Sequence, residues 1–337
     1  MRTLPSTART PIGPTPTPAP PPDLPGLTAR DAERVATALE ANIAVSTRTV
    51  YASAWRQWEA WCRSRGIAAL PAPPEVLAAY LAERAEAGLS YGTLDLACSA
   101  IAYQHHQEGL LDPTTDITLR RVRRGLRRII GAAPRRQAHP LTVAEVNRIV
   151  TAMDLDTATG VRDRVLLLLG YASALRPSEL AALHLADIAT RPGGLLVTVR
   201  RSKTDQDGYG QLVGVAPGSH RLTDPVSALA DWLVIRPAVS GPLFTRIHPS
   251  GVATAEPIGV RTVSRMVQAR ARAAGLDALP VSGHSLRAGH ATTAAANGAS
   301  VERIAAQTRH RDLNTLIEHY IRPPDALANT TSRNLGL

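Results

Sequence analysis

Large apolar side chains recur three and four positions apart through much of this chain, and that spacing admits a helix and excludes a strand. The clearest run is Tyr51, Trp55, Trp58, Trp61 and Cys62, which shares one helical face in the stretch that begins at Ser46. A tryptophan stripe of this kind is a packing face before it is a stacking platform. Pro71, Pro73 and Pro74 interrupt the chain ahead of a second helix over 75–87, which Gly88 ends, and two more are predicted over 91–108 and 118–130. Helices follow over 143–153, 160–173 and 177–183. The apolar period then shortens to two in 195–199 and 212–215, which read as strands flanking a turn rich in Asp and Gly. Helical spacing resumes over 223–235, 259–274, 285–297, 300–308 and 312–320. The fold expected is mainly α: an N-terminal helical bundle, then a mostly helical domain with a small antiparallel sheet.

A length of 337 residues suits two domains. Residues 1–26 hold nine prolines among Thr, Ser and Ala and bury too little to offset chain entropy, so 1–30 is assigned to a disordered tail. The helical bundle is then 31–130, a Gly/Ala/Pro linker occupies 131–140, and the second domain is 141–337. That domain opens on a capping box, Thr142 with Glu145 three residues on. Apolar content of 44% and charged content of 20% rule out wholesale disorder. Cys62 and Cys98 cannot build a disulfide framework, and no Cys/His cluster has zinc-finger spacing. The longest apolar stretch, 165–175, is broken by Gly170 and is too short for a bilayer. With no leader pattern in 1–30, the expected address is the cytoplasm.

Charge narrows the partner. Basic residues number 38 against 28 acidic ones, a balance suited to a polyanion. Between Ile117 and Ala144 there is no acidic residue, while Arg120, Arg121, Arg123, Arg124, Arg127, Arg128, Arg135 and Arg136 all occur there. Arginines 120, 124, 127 and 128 share a helical face, with Val122, Leu126, Ile129 and Ile130 expected to face inward. A solvated surface normally mixes signs, so a one-sign stripe running into a linker points to nucleic-acid phosphates. Of the 38 basic residues 37 are Arg, and the single lysine is Lys203.

Four separated segments of the second domain carry polar residues that packing does not demand. They are Leu175-Arg176-Pro177-Ser178-Glu179-Leu180, then Ser202-Lys203-Thr204, then His284-Ser285-Leu286-Arg287, and finally Arg309-His310 followed by Tyr320. Singly each is a common structural motif. In this order they resemble the tyrosine recombinases, also called phage-type integrases. The pattern of that family is an Arg in a short Leu-Arg-x-x-Glu-Leu box, a lysine on a β-turn, His-x-x-Arg, a later His or Trp, and a nucleophilic Tyr. The resemblance extends over roughly 44–330, because 46–66 also looks like the family's helical DNA-binding domain. Two features depart from the pattern. The residue before the late histidine is commonly Gly and here is Arg309, and the ten-residue step from His310 to Tyr320 is one longer than expected. Tyr209, near Lys203, is the one other tyrosine close to a box, and it lacks a helical setting.

The resemblance implies double-stranded DNA as substrate, a homo-tetramer on two DNA sites, and no cofactor. It implies catalytic roles for Arg176, Lys203, His284, Arg287, His310 and Tyr320, with Glu179 in support. The residue types suit that chemistry. Two guanidiniums can fork donors onto the equatorial oxygens of a pentacoordinate phosphorus, and His310 is expected to add another donor. A lysine near other cations can release a proton to a leaving 5′ oxygen, which an arginine cannot do readily. His284 is placed to take the tyrosine proton. The implied activity is site-specific cutting and rejoining of DNA in integration, excision or resolution. A nicking and resealing enzyme of the type IB topoisomerase kind, or a DNA binder without activity, shares the same boxes.

Overall fold

A computed structural model describes residues 28–131, 137–200 and 210–321. The chain divides into two compact units, 1–135 and 136–337. Among the described residues the first holds five α-helices: α1 (Ala29–Ala41), α2 (Val45–Ser64), α3 (Pro74–Glu86), α4 (Tyr91–Gln107) and α5 (Ile117–Ile130). Its core is where the tryptophan spacing placed it. Trp58 is fully buried, crosses the Tyr80 ring edge-on at 5.1 Å, and donates its indole N–H to the Ala69 carbonyl at 2.9 Å. Leu77, Leu81, Ile101 and Leu119 complete that core from α3, α4 and α5. Helix α4 is capped by Ser90 and α5 by Asp116, whose carboxylate accepts the Leu119 N–H at 2.8 Å.

Two sequence expectations need correction here. Helix α1 begins at Ala29, inside the stretch assigned to the tail, because Thr28 and Asp31 form a capping box. Ile129 is 80% exposed. The inward line of α5 runs through Leu119, Leu126 and Ile130, and the residue before Ile130 is turned about 100° off that line.

The second unit holds α6 (Val143–Thr151), α7 (Ala158–Ser173), α8 (Pro177–Ala181), β1 (Ile188–Arg191), β2 (Gly194–Val199), β3 (Gln211–Val215), α9 (Pro225–Ile235), β4 (Thr245–Ile247), β5 (Ala253–Pro257), α10 (Val260–Ala273), α11 (His284–Ala296), α12 (Val301–Thr308) and α13 (Leu313–His319). The sheet order is β1-β2-β3, antiparallel throughout, with Val197 opposite both Ile188 and Val213. Strand β1 and the β4–β5 hairpin were not anticipated, because strands this short show no alternation to read. Helix α7 is the hub, buried on every side from Gly160 to Gly170. That explains its continuous apolar run, and among the described residues no helix is long and apolar enough to cross a membrane. Helix α11 packs against α7, and a Cβ at Gly289 would stand 2.1 Å from the Leu141 carbonyl oxygen ahead of α6 and 2.9 Å from the Tyr171 ring of α7. This close approach seats the helix that carries Arg287.

Candidate active site

Helix α7 is capped by Ala174, which takes a left-handed backbone (φ 51°), and Pro177 starts α8 three residues later. Arg176 is thereby fixed as the residue before the first turn of α8. Glu179 reaches back from that turn, accepting the Arg176 backbone N–H at 2.8 Å and its Nη1 at 2.7 Å. The Glu179 carboxylate is almost fully buried. Burial alone would raise its pKa, but Arg309 and Arg176 outweigh that and hold it below the ordinary carboxylate range.

Arg287 enters from the first turn of α11 and is fully buried. Its Nη1 donates to the Ala174 carbonyl at 2.7 Å, tying α11 to the α7–α8 junction. Its Nη2 faces His310 Nε2 at 3.3 Å. Burial, then the neighbouring Arg176 and Arg309, push this guanidinium down to about 9. Its Nε, like that of Arg309, is buried without a hydrogen-bond partner among the described residues. An orphaned buried donor costs about 1–3 kcal/mol, a cost that an anion placed there would remove.

His310 follows the end of α12. Thr308 Oγ1 lies 2.6 Å from the Ile304 carbonyl and 2.7 Å from His310 Nδ1. The hydroxyl has one proton, and the carbonyl can only accept it, so Nδ1 donates to Oγ1 and Nε2 carries the lone pair. Arg287 Nη2 stands 3.3 Å from Nε2 and 3.5 Å from Nδ1, close to both ring nitrogens. Burial first, then Arg287, Arg176 and Arg309, lower the His310 pKa to about 3, so the ring is neutral at ordinary pH.

Tyr320 stands just past α13, its backbone N–H closing the last turn onto the Leu316 carbonyl at 3.0 Å. Thr292 of α11 donates its hydroxyl to the Tyr320 carbonyl at 2.8 Å. Thus held, the phenol ring lies 4.5 Å from the His310 ring and 5.6 Å from the Arg287 guanidinium carbon. The longer step from His310 leaves Tyr320 beyond the final helical turn, and the ring still meets this cluster.

The structure therefore brings together Arg176, Glu179, Arg287, His310 and Tyr320 from three of the four segments. His284 is the exposed first residue of α11, whereas Arg287 one turn later is buried, so the two occupy different environments. Lys203 and Tyr209 lie outside the described residues, as do Arg135 and Arg136. Arg120, Arg121, Arg124, Arg127 and Arg128 are carried by α5 in the other unit, where the half-buried Arg123 pairs with Asp95 at 2.6 Å. Sequence reasoning gave no role to Thr292, Thr308 or Arg309. Nothing local marks the two threonines, and Arg309 was visible only as a departure from glycine.

Residues 140–326 match the sequence pattern of the phage integrase family. The chain belongs to this family. Among relatives of this integrase-family chain, an integrase/recombinase XerD homolog of Selenomonas ruminantium is 29% identical over 286 residues, covering 84% of this chain and 83% of that protein. Recombinase Cre of Escherichia phage P1 is 27% identical over 292 residues, covering 81% and 83%. A solved structure of lambda integrase residues 75–356, a dimer bound to a COC′ core site, superposes with a TM-score of 0.58 at 18% identity, over 87% of this chain and 95% of that one. That likeness is one of fold.

Proposed function

We propose that this phage integrase family member is a site-specific recombinase that cuts and rejoins duplex DNA through a 3′-phosphotyrosyl link. The observation that carries the reading is the Tyr320 ring resting 4.5 Å from the His310 ring and beside Arg287, a buried arginine with an unpaired donor. A backbone phosphate seated there gives that donor its acceptor. Arg176 and Arg287 then hold the equatorial oxygens as negative charge grows on them. His310 joins as a donor once its proton resides on Nε2, with the Thr308 hydroxyl turning to donate to Nδ1.

In the proposed step the Tyr320 oxygen bonds to phosphorus and the bond from phosphorus to the 5′ oxygen breaks. His284 takes the phenolic proton and Lys203 supplies one to the departing 5′ oxygen. The phosphotyrosyl bond retains the energy of the phosphodiester, so a 5′ hydroxyl reverses the step without ATP. The α5 arginines lie along DNA phosphates, and four copies assemble on two sites. The complexes formed by solved relatives support the DNA partner, among them a lambda integrase tetramer on a Holliday junction with a TM-score of 0.57.

The test uses a pool of duplexes carrying one nick, so that the cut fragment diffuses away and cleavage is trapped. A covalent protein–DNA adduct is expected in EDTA, with the DNA on Tyr320 by peptide mapping. No adduct on any duplex would leave a DNA-binding protein, and relaxation of plain supercoiled DNA without a partner site would point to topoisomerase action.

Two further outcomes follow from the assigned roles. Lys203→Ala should cleave ordinary DNA about 10²–10⁴-fold more slowly yet cut a 5′-phosphorothiolate substrate at close to the normal rate, because a thiolate leaves without a proton. Equal loss on both would take Lys203 out of the acid role. Replacing Arg120, Arg124, Arg127 and Arg128 with Ala should lower the slope of log affinity against log salt by about 0.9 for each phosphate that is no longer neutralised. An unchanged slope would place the stripe away from the backbone.

A further inference from the structure

Arg309 occupies the position where the family pattern commonly has glycine, and the backbone there shows why glycine suits it. It ends α12 with φ 57° and ψ 46°, the left-handed conformation that a side chain makes unfavourable. An arginine kept at such a position must do something with its side chain. That side chain is turned inward and almost fully buried, and its Nη2 donates to Glu179 Oε2 at 2.5 Å. Its Nη1 donates to the Gln307 carbonyl at 3.2 Å.

Glu179 is consequently shared. Oε1 takes Arg176 Nη1, while Oε2 takes the Arg176 backbone N–H and Arg309 Nη2. With glycine at 309, the buried carboxylate would keep Arg176 as its hydrogen-bonded arginine and draw that guanidinium into a two-point pair, away from a phosphate. A second arginine on Oε2 limits Arg176 to one side-chain bond with Glu179 and leaves its other donors for substrate. The same bond joins the turn bearing His310 to α8. Gln307 reinforces the joint by donating to the Ala172 and Gly214 carbonyls at 3.2 and 3.0 Å.

We infer that Arg309 is a positioning residue for strand transfer, acting through Glu179 to hold Arg176 and the His310 turn in register with the scissile phosphate. This rests on the recombinase reading above. It is tested by single-turnover adduct formation on the nicked duplex with full-length protein, alongside DNA affinity and thermal midpoint. Arg309→Gly relieves the left-handed backbone but takes a partner from the buried Glu179 carboxylate, so its thermal midpoint should fall while the protein remains folded. It should bind DNA within about threefold and form adduct about 10–100-fold more slowly, the size of effect expected when a reacting group is misplaced by roughly 1 Å. Arg309→Lys should regain part of the rate. In the Glu179→Gln background, Arg309→Gly should add little further loss, as two members of one chain of hydrogen bonds do.

Parental rates in Arg309→Gly would overturn the inference, and so would a loss that multiplies in full with that of Glu179→Gln. A uniform loss of DNA affinity with an unchanged rate on bound DNA would overturn it too, by making Arg309 a binding residue. Should Arg309→Gly unfold, Arg309→Lys carries the test, and a parental rate for it together with full additivity would be fatal. Failure of the parent protein itself to form an adduct would count against the recombinase reading and would be seen before any variant is compared.

Discussion

Tyr320→Phe is expected to abolish the covalent protein–DNA adduct while leaving the fold and DNA affinity in place. The substitution removes one oxygen. The ring would keep its seat against His310 and the small cluster formed by Ala291, Ile304, Ala305 and Leu316. The bond from Thr292 goes to the backbone carbonyl and survives as well. Stability should therefore move by about 1 kcal/mol or less, the usual range for a change that opens no cavity. The chemical effect is of a different order. A displaced phosphodiester requires an oxygen nucleophile aligned on phosphorus, and removing it takes away the covalent route entirely. Tyr171 is no substitute, since its hydroxyl is partly buried on α7 and bonded to Thr293 Oγ1 at 2.8 Å. The measurement is adduct yield on the nicked pool, with binding followed in parallel by a mobility shift. Persistence of an adduct in Tyr320→Phe, mapped to Tyr209 or another residue, would remove Tyr320 from the centre of the proposal.

The placement of that tyrosine shows what the sequence could and could not convey. The order of the polar boxes was readable through the family resemblance, and phosphoryl chemistry accounts for the residue types in them, guanidiniums, a proton donor and a nucleophile. Helices with a strong apolar face were readable too, since burial enforces the period. What escaped were relations that exist only once distant segments meet. Glu179 and Arg309 are 130 positions apart, and no periodicity links them. The neutral state of His310 comes from its burial and from Arg287, Arg176 and Arg309, which reach it from other segments of the chain. Ile129 turns outward because the core meets α5 along the line of Leu126 and Ile130. In each case the deciding quantity is a tertiary distance.

Arg287→Ala should lower cleavage about 10²–10³-fold, the loss typical of removing one preorganised donor from a transferring group, while changing thermal stability much less than the burial of the side chain implies. Two effects oppose each other in the folded protein. Truncation strips the Ala174 carbonyl of its 2.7 Å donor and opens space in a packed region, each worth about 1–3 kcal/mol. Against this, it takes a fully buried cation from beside Arg176 and Arg309, and those two plus burial already depress the Arg287 pKa to about 9. The unfolded chain has no such depression. The charged form is thus penalised in the folded state at every pH below about 9, and the penalty is relieved only as pH rises through that value. At neutral pH the relief is available in full to the Ala variant. Arg287→Lys sharpens the contrast, since an ammonium keeps the charge but cannot hold Ala174 and His310 with a planar fork, and it should stay within about tenfold of Ala in rate. Sulfate should raise the thermal midpoint of the parent more than that of either variant, as ligand linkage requires of a site that needs Arg287 to hold an anion. Cleavage within about threefold of the parent in Arg287→Ala would mean that phosphate is activated elsewhere, since losing an essential donor lowers the rate far more than that.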